Sequence, residues 1–418
     1  MEMLFAAFLL KIEIRSYSLH IYTYYTNGGD IFMDYLIIGN GVAGTEAALE
    51  IRKHDQEGTI TLVSESRHQF YYRPRVIEYL GGSVSADTIT LYRDDLYRSK
   101  NIRTILDTRI VQIVPDEKKA IDCTGNAFTY DKLLLATGAR PAVPPVSGTN
   151  LPGVFTLRGI TDADEIMRYC RDVSDIVVIG GGLLGLETAS SMYREGRNVT
   201  VIEFFEWLLP RQLDRIGGKI LKEKLEEQGL SFILNDSVAS IEGDGKTEKI
   251  ILKSGNEIKA DAVILSAGIK GRNELAMDAG INVNKGIVVN DYLETSVTDI
   301  YAAGDPAEHA GCIYGIWPAA REQGKIAGMN MAGIPTPYSK TMISNVLKIT
   351  GIDLYSAGEF NAEDTEVFSC SVNGTYKKLL MKGNPVAAIV LGDAKAVKIA
   401  QRVMEGKTSP EDFKEIIE

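Results

Sequence analysis

The chain has 418 residues, 45% apolar and 24% charged, with a net charge of −11 at neutral pH. That balance suits a globular protein of about three domains at roughly 100–200 residues each, and the acidic excess argues against a nucleic-acid partner, which needs a basic face. The cysteines Cys123, Cys170, Cys312 and Cys370 form no C-x-x-C, and His20, His54, His68 and His309 have no ligand spacing. This argues against a metal site, an iron–sulfur cluster and a paired redox disulfide, and fits reduced thiols in the cytoplasm.

Residues 1–10 are apolar apart from Glu2. They are too short for a bilayer span of about 20 residues and lack the basic flank and cleavage site of a signal peptide. Residues 17–26 are rich in Tyr and have no period. Folding is expected to begin at Met33, with residues 1–32 an extension outside the fold and no membrane segment.

The apolar residues 36–38 read as a parallel strand buried on both faces. Gly39, Gly41 and Gly44 follow, for a tight turn, a close approach to a pyrophosphate and helix–strand contact respectively. Phosphates then meet the N–H groups of a helix start. A second strand over residues 59–63 leads to Glu65, about twenty residues past the turn, where a carboxylate can accept bonds from ribose hydroxyls. Residues 132–135 form another buried strand that ends at Ala136-Thr137-Gly138.

The pattern then repeats. Prolines and Gly148 mark a linker, and residues 176–179 form a strand before Gly180, Gly182 and Gly185. A helix is expected over residues 186–194, then a strand ending at Glu203. An acid there favours NAD over NADP, and Phe204 and Phe205 follow it, with Arg211 the cation nearby. Glu187 reads equally as an acid complementing the helix dipole and as a functional group. Asp214 is expected to cap a helix whose inward face carries Ile216, Ile220, Leu221 and Leu225. Residues 237–259 read as a polar hairpin, and residues 262–265 as a strand running to Gly268.

A short strand ends at Gly304-Asp305, and Trp317-Pro318 opens a long helix. After Pro335 come strand-like segments at residues 344–349, 367–372, 377–381 and 385–391, then a helix over residues 394–404.

The two glycine units, Ala136-Thr137-Gly138 between them and Tyr301-Ala-Ala-Gly-Asp305 after them together resemble the FAD-dependent pyridine nucleotide–disulfide oxidoreductase superfamily. Tyr72-Arg73-Pro74-Arg75, Leu208-Leu-Pro-Arg211 and Tyr314-Gly-Ile-Trp-Pro318 are similar to one branch of it, the NADH:rubredoxin oxidoreductases and the amino-terminal half of nitrite reductase large subunits. The resemblance implies an α/β fold with two Rossmann-like three-layer nucleotide-binding domains. The FAD domain, residues 33–145 and 261–335, is split by an inserted NAD domain, residues 146–260. A small α+β domain, residues 336–418, covers the flavin or forms a dimer contact. The implied FAD contacts are Gly39, Gly41, Val42, Ala43, Gly44, Glu65, Arg73, Pro74, Ala136, Thr137, Gly138, Gly304 and Asp305. The implied NAD contacts are Gly180, Gly182, Leu184, Gly185, Glu203 and Gly268, with Glu187 beside the nicotinamide.

The departures from the superfamily matter as much. Disulfide reductases carry a cysteine pair on the first helix, where this chain has Ala43, Thr45, Ala47 and Ala48. Peroxidase and oxidase relatives carry a cysteine after the acid, and residues 66–82 contain none. Ferredoxin-reductase relatives often follow Arg-Pro with a lysine motif, whereas Arg73-Pro74 continues into Arg75-Val-Ile-Glu78. The expected chemistry therefore uses the flavin alone. NADH, rather than NADPH, gives a hydride to flavin N5, and electrons leave for an external carrier, rubredoxin or a similar small redox protein. The enzyme would be a monomer or homodimer without a metal. Two other readings stay open, an oxidase making hydrogen peroxide and a non-catalytic NADH sensor.

Overall fold

A computed structural model describes residues 32–193, 196–341, 344–349, 351–360 and 362–417. The expected extension, apart from Phe32, and Arg194 of the expected second helix lie outside the described residues. Met33–Glu418 forms one compact unit.

Strand β1 (Asp34–Ile38) buries Leu36 and Ile37 completely. It runs into helix α1 (Val42–His54), and β2 (Thr59–Val63), β3 (Ile102–Ile105) and β4 (Lys132–Leu135) complete the first run of strands. The chain then leaves to build a second sheet from β5 (Val154–Thr156), β6 (Asp175–Ile179), β7 (Asn198–Glu203), β8 (Ser231–Leu234) and β9 (Ala262–Leu265). Helix α2 (Leu183–Tyr193) follows β6, and α3 (Arg215–Glu227) follows β7. On its return the chain adds β10 (Ile300–Ala302) to the first sheet, then α4 (Trp317–Met331). The two sheets are all parallel, ordered β10-β4-β1-β2-β3 and β8-β7-β6-β9-β5. In each, the glycine-turn strand is central and the strand bearing the acid lies beside it. That position opens a crevice at the carboxyl ends of the strands.

Alternation along β6 explains the layering. Ile176 and Val178 pack against helices, whereas Val177 faces Val238, Ile241, Ile250 and Leu252. Those four come from a three-stranded antiparallel meander, Val238–Glu242, Lys249–Leu252 and Glu257–Lys259. The expected polar hairpin is thus one strand too few, and its apolar alternate residues cover the sheet. A matching meander, Ile110–Val114, Lys119–Asp122 and Ala127–Thr129, covers the first sheet and was not anticipated. Both units are helix–sheet–meander sandwiches. The chain crossings between them are zipped together, with Ala139–Pro141 antiparallel to Ile269–Gly271 and Arg140 paired with Glu274 at 2.5 Å.

The tail forms β11 (Ser344–Ile349), β12 (Ile352–Gly358), β13 (Glu366–Val372), β14 (Thr375–Lys382), β15 (Asn384–Leu391) and α5 (Ala394–Met404). Strand β12 was missed, because polar Asp353 and Ser356 interrupt its apolar pattern. The antiparallel order is β11-β12-β15-β14-β13. One face carries α5. The other packs Leu354, Tyr376, Ile389 and Leu391 into the same core as Leu213, Leu221 and Leu225 of the second unit.

Asp214 pins this contact. It caps α3 by accepting from Gly217 N–H at 3.0 Å, and it takes Lys378 Nζ at 2.8 Å and Tyr376 OH at 2.7 Å. On α3, Leu221 and Leu225 are buried, but Ile216 is exposed, two residues past the cap and turned to solvent. Burial would raise the Asp214 pKa, but the Gly217, Lys378 and Tyr376 bonds outweigh it and hold the carboxyl below its ordinary range. Asp214→Ala is expected to cost about 2–4 kcal/mol, since it removes a cap and strands a half-buried ammonium. A carboxyl with a lowered folded pKa stabilises above its ordinary value of about 4, and the gain fades as pH falls through the folded value. Urea titrations should therefore find the full deficit at pH 7 and a shrinking one below about pH 4.

Candidate active site

The first turn is forced by the chain itself at two of its glycines. Gly39 has φ +119°, and a Cβ there would lie 2.1 Å from the Ala136 carbonyl oxygen. A Cβ on Gly44 would lie 2.0 Å from the Gly39 oxygen. Gly41 differs, because nothing of the protein stands within 4 Å of its absent Cβ. Space is left there for a ligand. Gly41 caps α1 without a side chain, and its carbonyl accepts from Thr45 N–H at 3.0 Å. The N–H groups of Val42, Ala43 and Gly44 are the orphan donors of the helix start, suited to a phosphate.

These residues open a cleft of about 690 Å³ lined by Gly39, Gly41, Glu65, Arg73, Ala136, Thr137 and Gly138 among others. The Glu65 carboxylate pairs with Arg272, and Thr137 Oγ1 donates to the Arg272 carbonyl at 2.8 Å. Beyond Gly304, the Asp305 carboxylate pairs with Arg158 at 2.5 Å. Arg73 donates to the Arg158 carbonyl at 2.7 Å and lies over the Tyr71 ring. Pro74 sits in the 3-10 turn Arg73–Arg75, exposed. Burial, then the Arg73 charge, lowers the Arg158 pKa, and Asp305 opposes this. Sequence reasoning missed Arg158 and Arg272, since neither belongs to a spaced motif.

The second turn repeats the geometry. Gly180 has φ +116°, with Ser266 O 2.3 Å from its would-be Cβ; for Gly185 the obstacle is Gly180 O at 2.0 Å. Gly182 again faces open space, as does Gly268 at φ +98°. Leu184 is half-buried on the first turn of α2. Glu203 is buried and accepts from Gly181 N–H at 2.5 Å and Phe205 N–H at 2.9 Å. Beside it lies a pocket of about 560 Å³ lined by Phe204, Phe205, Asn235, Asp236 and Lys253. The two exposed phenyl rings stand edge to face, 5.3 Å apart.

Glu187 is the fifth residue of α2, whose first turn holds no acid, so the dipole reading of it falls away. Burial pushes its carboxyl up to about 7. Cys123 is exposed, Cys170 is buried, and neither lines the first cleft, nor do Cys312 and Cys370. Among the described residues, no group of three or more His, Cys, Asp and Glu could hold a metal, and no helix is long and apolar enough to cross a membrane.

Paired turns at the carboxyl ends of two parallel sheets, each with an acid at or just past the end of the neighbouring strand, define a protein built for two dinucleotides. The chain belongs to the pyridine nucleotide-disulphide oxidoreductase family, whose pattern matches residues 33–324. Residues 344–408 match the rubredoxin NAD+ reductase C-terminal domain. The NADH-rubredoxin oxidoreductase of Clostridium acetobutylicum is 32% identical over 91% of this chain and 96% of its own length. The solved structure of that enzyme superposes with a TM-score of 0.78, covering 91% of this chain and 96% of that one at 31% identity. The nitrite reductase [NAD(P)H] of Bacillus subtilis is 36% identical over 86% of this chain and 45% of its own. The chain spans about half the length of the first curated relatives it matches, 45% and 51%. Membership in this family brings FAD and a pyridine nucleotide as cofactors. The open Cβ positions of Gly41 and Gly182 and the bare start of α1 fit such ligands.

Proposed function

We propose that this chain is an NADH:acceptor oxidoreductase that holds FAD in the first cleft, binds NADH at the second turn and passes electrons to a small carrier protein of the rubredoxin kind in the cytoplasm. The near end-to-end match to an NADH-rubredoxin oxidoreductase, carboxy-terminal domain included, carries this reading. When bound, FAD supplies the chemistry, taking two electrons from NADH and releasing them to the carrier. The chain supplies binding and electrostatics. The N–H groups after Gly41 and the Ala136–Gly138 turn hold the pyrophosphate end, with Val42, Ala43 and Gly304 making the close wall. Asp305, Arg158, Arg73 and Pro74 stand at the inner end. Gly180, Gly182, Leu184, Gly185 and Gly268 hold NADH, and Glu203 orders the turn that receives its ribose. Phe204 and Phe205 offer faces to the adenine. Glu187 stands beside the nicotinamide.

Stopped-flow absorbance tests the reading. NADH should bleach the yellow protein at least about tenfold faster than NADPH, because a 2′-phosphate would meet the carboxylate of Glu203. Oxidised rubredoxin should then restore the colour faster than air-saturated buffer. Faster recovery with oxygen, or a preference for NADPH, would overturn it.

A further inference from the structure

Glu65, two residues past β2, and Glu203, the last residue of β7, follow equivalent turns, yet they act differently. Glu203 is buried and folds back onto Gly181 and Phe205 of its own unit. Glu65 stays half exposed and reaches across the first cleft to the guanidinium of Arg272. Arg272 arrives on the opposite wall, on the return crossing from the second unit. Its backbone is held on both sides: its N–H donates to Gly138 O at 3.0 Å and its carbonyl accepts from Thr137 Oγ1 at 2.8 Å. An ion pair this exposed adds little to folding, so stability does not account for it.

We propose that Arg272 and Glu65 form a strap across the adenosine end of the first cleft that retains FAD, an inference that rests on FAD being the ligand of that cleft. A lone carboxylate would repel the diphosphate it must sit near. Arg272 cancels that charge and brings a fork of up to five donors suited to phosphate and hydroxyl oxygens. The second cleft has no such strap, since no Arg or Lys pairs with Glu203 among the described residues. The asymmetry matches the two ligands, because NADH must leave at each turnover and FAD must stay.

The test follows release of flavin fluorescence from the purified holoprotein after dilution into potassium bromide. Arg272→Asn should lose FAD roughly tenfold faster than wild type, and Arg272→Lys should fall between them. Lys270→Ala removes the same charge from an exposed site two residues away and should match wild type. Wild-type release should quicken with salt more steeply than release from Arg272→Asn, as the strap is electrostatic. Protein reloaded with FMN, which lacks the adenosine end, should release it equally fast from both. Equal FAD release from Arg272→Asn and wild type would overturn the strap while leaving FAD in place. A purified protein that yields FMN or no flavin would instead overturn the reading beneath it.

Discussion

Glu187→Gln is expected to slow NADH-driven flavin reduction by roughly ten- to a hundredfold and, at the same time, to make the folded protein more stable at neutral pH. The two effects share one cause. Burial raises the Glu187 carboxyl from 4.5 to about 7, and no hydrogen bond or ion pair among the described residues compensates it. A raised acid binds its proton more tightly when folded. Stability therefore falls as pH rises from about 4.5 to about 7, and the full penalty stands above that. The penalty is about 3 kcal/mol at pH 8. Glutamine keeps the shape without the charge, so urea titrations should find the variant more stable at pH 8 and equal to wild type near pH 4.5. The wild-type reduction rate should change with pH around 7, and the variant's should not. A residue that costs stability in this way is best explained by function. Unchanged reduction kinetics in Glu187→Gln would remove Glu187 from the site.

The second large effect is expected from one methyl group. Helices α1 and α4 touch backbone to backbone. A Cβ at Gly324 would lie 2.3 Å from Ala43 O and 2.8 Å from Ala43 Cα, and one at Gly328 would lie 2.7 Å from Ala47 O. Neither obstacle is a movable side chain. Gln323, beside that contact, accepts from Gly304 N–H at 2.8 Å, and the would-be Cβ of Gly304 is 3.1 Å from Ala43. The start of α1, the Gly304-Asp305 turn and α4 are thus one block. Gly324→Ala must part the helices, at a cost of about 3 kcal/mol or more. It should also tilt the α1 N–H groups away from the phosphate site. The variant should purify with less flavin and melt lower. Full flavin content with an unchanged melting temperature would show that the block yields more easily than its geometry indicates.

The parallel strands were legible because burial on both faces leaves runs such as Leu36-Ile37-Ile38 and Ile176-Val177-Val178 that no other local structure explains. The two covering meanders were read poorly. Their residues Val238, Ile241 and Ile250 are few and scattered among charges, and only the sheet beneath gives them a common face. In the tail, β13, β14 and β15 were visible, whereas β12 was hidden by Asp353 and Ser356, whose hydroxyl finds the Gln212 carbonyl at 2.7 Å. The helix over 215–227 was placed correctly, and Leu221, Leu225 and half-buried Ile220 face inward as expected, but Ile216 does not. Ile216 is apolar and exposed, and buried Gly217 and Gly218 give α3 its close contacts with Tyr376 and Trp207.

By itself the sequence determined the two nucleotide turns, the acids that follow them, the α/β class and the absence of cysteines from the first helix. These are local facts, set by φ angles only glycine tolerates and by side chains within one strand–turn–helix unit. Tertiary structure alone decided what each acid holds. Glu65 meets Arg272 across 207 residues, Asp305 meets Arg158 across 147, and Asp214 meets Lys378 across 164. It also set the tail against the second unit rather than leaving its place open. Charges so far apart in the chain carry no shared period or spacing, so their pairing becomes visible only when packing has removed the water between them.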